Sequence, residues 1–135
     1  MSKIVISLFA LVLFLHCLAA LLTYVTIGSG RYVESNPTAA LLQINYGLAT
    51  GLTLTLVQGT LLSAVPLAIY LGTLKFSRSE YVPLSDRAFT TRFVKLLFFP
   101  LVLCVLVYLA AIAGADVVHD LAMFLSNGQL NLWSF

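Results

Sequence analysis

The chain has 135 residues, 61% of them hydrophobic and 9% charged, with a mean hydropathy of +1.03 and a formal charge of +2. A soluble domain carries about 25% charged residues, so an ordinary water-exposed globule is excluded, and so small a net charge gives nucleic acid no footing. The expectation is an all-α integral membrane helical bundle forming a single domain over residues 1–135, with the lipid bilayer as its first partner.

No Asp, Glu, Lys or Arg lies between Lys3 and Arg31. A helix rising 1.5 Å per residue needs roughly 20 apolar residues to cross a ~30 Å hydrocarbon core, so residues 4–27 read as the first span. A signal-peptide core is only about 7–15 residues long, so this longer run is expected to be retained. His16 falls near its midpoint. An ionisable group at that depth is costly and points first to function, since neutral imidazole ligates haem iron or a metal. The blander alternative is a hydrogen bond to a neighbouring helix, at Thr53, Thr55 or Gln58. Cys17 and, later, Cys104 sit in apolar runs and read as buried small hydrophobes.

Gly28-Ser29-Gly30 ends the first helix. Asn36-Pro37 then starts another: Asn caps free amides, and Pro at the first helical position loses no bond. Glu34 can satisfy amides at the same helix start, where the dipole is positive, which makes Glu34, Asn36 and Pro37 a structural loop. Arg31 stands across that turn.

The next uncharged stretch, residues 38–74, is too long for one span. Gly47 and Gly51 divide it into a short interfacial or re-entrant helix at 38–46 and a second span at 48–74, with Pro66 predicting a kink near Leu62–Ser63. The pair Gly47 and Gly51, and Ala110 with Gly114 further on, have the spacing that lets helix backbones approach closely in lipid. Thr53, Thr55, Gln58, Thr60 and Ser63 give the second span a polar face, and a small oligomeric channel or transporter is one reading of it.

Residues 75–92 carry half of the charged side chains, form the one extended polar stretch and read as a loop. The third span is predicted at 93–115, with Pro100 in its first half, and residues 116–135 follow as a C-terminal segment on the opposite side, where 116–125 can continue the helix as an amphipathic turn or two. Asp116, His119 and Asp120 have spacings that share one helical face and form a candidate divalent-metal site; an exposed helix end is the plainer reading. His16 and His119 are expected at different depths. Trp133 and Phe135 suit an interface.

Lys3, Lys75, Arg78, Arg87, Arg92 and Lys95 fall on one side of this topology and Arg31 on the other. The positive-inside rule makes the N-terminus and the 75–92 loop cytoplasmic and the C-terminus external, in a multi-pass cell-membrane protein.

Leu18–Thr23, Gly28 and Gly30, and Glu34-Ser-Asn36-Pro37 together resemble a family of small prokaryotic, often archaeal, membrane proteins of unknown function with a Glu-x-Asn-Pro loop after the first span. The resemblance covers the first half of the chain and extends to the third span in hydropathy alone. Family members usually carry an Asp about four residues before the Thr matching Thr23, where this chain has Ala19. The resemblance implies the multi-span topology and an archaeal source, and it implies no activity.

There is no phosphate-binding glycine loop, nucleophile elbow or Cys-x-x-Cys. The leading expectation is therefore a non-catalytic accessory subunit, without cofactor, packed among other integral membrane subunits. The alternative is a redox-complex subunit holding haem b through His16 or a divalent metal through Asp116, His119 and Asp120.

Overall fold

The computed structural model describes Ser2–Gly28, Glu34 and residues 36–126. The readings placed on Ser29, Gly30, Arg31, Trp133 and Phe135 lie outside the described residues. Four helices follow one another: α1 (Ser2–Gly28), α2 (Pro37–Tyr46), α3 (Leu48–Phe76) and α4 (Leu84–Leu125). Three of them, α1, α3 and α4, are long and apolar enough to cross a membrane, and the chain is a multi-pass membrane protein.

The long helices pack pairwise, with α1 and α4 parallel and α3 antiparallel to both. The register is regular. Val5 of α1 joins Tyr70 of α3 and Val102 of α4 in the buried core with Leu74, Val94 and Leu106. Eleven residues along α1, the His16 ring faces Gly59 of α3. Seven further on, Thr23 donates to Asp120 of α4 at 2.6 Å, the same offset between α1 and α4 as from Val5 to Val102. One end of the bundle is thus apolar inside, and the other is polar.

α2 is short because Asn36 opens it and Gly47 closes it. The Asn36 side chain accepts from the Thr38 and Ala39 amides at 3.0 and 3.4 Å, with Pro37 in the first turn. At Gly47 a φ of 83° turns the chain, a backbone state that glycine adopts without a Cβ penalty. The chain folds back so closely that a Cβ on Gly51 would stand 2.7 Å from the Gln43 backbone. The Gly47 and Gly51 pair therefore serves an intrachain hairpin between α2 and α3. At Gly114 a Cβ would meet no atom within 4 Å, so the Ala110 and Gly114 face is not in close backbone contact with the described residues.

Two expectations need correction. The loop predicted at 75–92 is confined to residues 77–83, because Pro83 leads into a helix whose first turn carries Asp86, favourable at a positive helix end. Arg87 Nε also donates to the Val82 carbonyl at 2.8 Å and ties that start down. Residues 116–125 do continue the helix: α4 runs unbroken for 42 residues, about 63 Å, so both ends extend beyond a ~30 Å core. Lower hydropathy marks where such a helix leaves the apolar layer, whereas its backbone bonds continue. Finally, Cys17 and Cys104 are exposed on the bundle surface, not buried. Both α3 and α4 continue through Pro66 and Pro100.

Candidate functional site

The polar end of the bundle encloses a cavity of about 100 Å³. Its walls come from α1 (His16, Ala19, Ala20, Thr23), the segment before α2 (Glu34, Asn36), α2 (Ala39), α3 (Leu52, Thr55, Leu56) and α4 (Asp116, His119, Asp120). The α1–α3 register explains the pairing, since Thr23, Ala20 and Ala19 stand level with Leu52, Thr55 and Leu56. The small side chains Ala19, Ala20 and Ala39 leave the space that the polar groups surround.

Each acidic residue is held differently. Asp120 is anchored from two sides: Oδ2 accepts from the Thr23 hydroxyl at 2.6 Å and Oδ1 lies 3.2 Å from His119 Nδ1. A carboxylate only accepts, so His119 Nδ1 carries the hydrogen. The His119 side chain is 8% exposed and Asp120 17%. Glu34 is likewise fixed through both oxygens, Oε1 accepting from the Asn36 amide at 2.9 Å and Oε2 from Gln43 Nε2 at 3.1 Å. Asp116 is exposed along the cavity. The charged or chargeable groups around it are Asp120, His16, Glu34 and His119.

His16 reaches none of the partners proposed for it. The Thr53 and Thr55 hydroxyls donate to carbonyls of their own helix, Ala49 O and Gly51 O, and Gln58 is exposed. His16 Nε2 is buried without a hydrogen-bond partner and abuts Gly59, where a Cβ would stand 3.1 Å away. Only glycine lets the imidazole sit so close to α3.

The structure therefore brings His16, Glu34, Asn36, Asp116, His119 and Asp120 to one place. In the α1–α4 register His119 stands level with Leu22, six residues or about 9 Å beyond His16, yet both line the cavity. α4 stays helical beyond residue 115 and runs parallel to α1, so the 116–120 turn lies beside 19–23, immediately above His16. Pro37, the first residue of α2, lies outside the cavity, as do Gly47, Gly51, Ala110 and Gly114. Sequence reasoning missed Thr23 as the donor to Asp120, Gln43 as the second anchor of Glu34, and Gly59 as the bed of His16. A glycine among the hydroxyl residues of α3 was the one available signal for the last.

Among the described residues, no three His, Cys, Asp or Glu side chains stand close enough together to ligate one metal ion directly. Comparison with known protein families, characterised proteins and solved structures returns no match.

Proposed function

We infer that the chain is a membrane subunit that binds a divalent cation at the polar end of its bundle. One observation supports this above the others: among the described residues, three carboxylates and two imidazoles line a single cavity and no Lys or Arg does. Three like charges around a small volume repel one another, and in a medium of low polarity that repulsion is weakly screened. A cation relieves it. The cavity holds roughly three water volumes, enough for an ion that retains part of its hydration shell, as Mg²⁺ and Mn²⁺ tend to do.

Purified protein titrated with Mn²⁺ should bind about one ion saturably. The Asp116→Asn variant should bind at least ~10-fold more weakly, the loss seen when a group supporting a metal site is removed. Equal binding by wild type and variant would reject the site, as would no saturable binding by either.

A second reading, a non-catalytic accessory subunit among other integral membrane subunits, draws on a separate observation. The Ala110 and Gly114 face of α4 has open space over Gly114, the kind of surface against which another helix packs in lipid. Gly114→Leu should leave the isolated chain folded yet abolish co-extraction with larger membrane proteins in mild detergent. Recovery of wild type only as a monomer or homo-oligomer would contradict it. The channel reading has less support, because the Thr53, Thr55, Thr60 and Ser63 hydroxyls donate to carbonyls of their own helix.

A further inference from the structure

We propose that the end of the bundle opposite the cavity binds an anionic phospholipid, its phosphate between Lys75 and Arg78 and an acyl chain along Leu71 and Leu74. Leu71, Leu74, Lys75, Arg78 and Ser79 line an open groove of about 440 Å³ at the end of α3. Leu71, Leu74 and Lys75 share one face of α3, Arg78 and Ser79 follow in the turn beyond its end, and Leu71 lies one turn, about 6 Å, deeper than Lys75. That is the vertical order of a phospholipid, with hydrocarbon below and a charged headgroup above.

Charge favours an anion here. Lys3, Lys75, Arg78, Arg87, Arg92 and Lys95 all belong to this end of the bundle, against Glu80 and Asp86. Among the described residues His119 pairs with Asp120, at the other end of the bundle. Neither Lys75 nor Arg78 has a carboxylate within ion-pair distance, and both are exposed. The negative end of the α3 dipole opposes an anion, but the terminal carbonyls are engaged. Thr73 O accepts from Ser77 N, Lys75 O from Arg78 N, and Phe76 O from both Ser79 N and the Ser79 hydroxyl. The two cations therefore dominate the field at the groove. Two basic residues at an anionic surface raise affinity roughly tenfold or more.

The test is lipid retention. Protein extracted in mild detergent is equilibrated with equal amounts of phosphatidylglycerol and phosphatidylcholine, and bound lipid is counted by native mass spectrometry. Wild type should retain phosphatidylglycerol about tenfold over phosphatidylcholine. The Lys75→Gln/Arg78→Gln variant should lose that preference. Arg92→Gln/Lys95→Gln, which removes the same charge from α4, should keep it, and millimolar inorganic phosphate should not displace the lipid. Equal retention of the two lipids by wild type would overturn the proposal. So would an equal loss in both double variants, which would indicate bulk charge alone, or displacement by phosphate, which would indicate a free-anion site.

Discussion

Gly51→Ala is expected to break the α2–α3 hairpin and to cost the most stability of any single methyl group added to this chain. The new Cβ would stand 2.7 Å from Gln43 Cα, 2.7 Å from Gln43 N and 2.8 Å from the Leu42 carbonyl carbon. All three obstacles are backbone, so no rotamer change relieves them and α2 must move as a unit. Overpacking of a tight interior costs about 1–3 kcal/mol, and a clash confined to backbone belongs at the upper end. The effect reaches the cavity, because Gln43 holds Glu34 and Ala39 forms part of the wall. Unfolding in detergent should show the stability loss, and Mn²⁺ affinity should fall with it. Gly114→Ala is the contrast: no atom lies within 4 Å of its Cβ position, and alanine is the better helix former by about 1 kcal/mol, so the isolated protein should be unharmed or slightly stabilised. Equal stability of Gly51→Ala and wild type would mean that α2 does not pack as described.

Asp120→Ala should have the next largest effect, because this carboxylate joins α1 to α4 and orients His119. Its removal leaves the Thr23 hydroxyl without its acceptor and takes the Asp120 partner from an imidazole whose side chain is 8% exposed. Removing one partner of a hydrogen bond away from bulk water costs about 1–3 kcal/mol, so a loss of about 1–3 kcal/mol is expected. Thr23→Val removes only the first bond and should cost about 1 kcal/mol. Asp120→Asn retains an oxygen acceptor but not the charge. It should keep most of the stability while weakening Mn²⁺ binding, which separates the structural role of the group from its electrostatic one. Were Asp120→Ala as stable as wild type, the Thr23–Asp120 bond would not be holding the two helices in register.

Much of the fold is legible in the sequence because the relevant quantities are local. Whether a segment can cross a bilayer depends on how many consecutive apolar residues it supplies, and residues 4–27, 48–74 and 93–115 lie within α1, α3 and α4. The start of α2 is also local, since Asn36 and Pro37 act on amides two or three residues away. The extent of α4 was less visible. Hydropathy reports where a helix leaves the membrane, while its end is decided by backbone bonds and caps that water does not disrupt.

The sequence by itself determined the solvent, the number of long helices and the residue types with chemistry to offer. Only the tertiary structure decided that His16, Glu34, Asp116, His119 and Asp120 share one cavity, and that Gly51 receives the chain's own α2. The physical reason is register. Hydrophobic length places each helix across the membrane without setting its rotation or its offset against a neighbour. Those follow from side chains meeting across helices, with His16 seated on Gly59, Thr23 bonded to Asp120, and Val5 packed in one core with Tyr70 and Val102. None of these pairs is near in sequence, so no local pattern could have announced them.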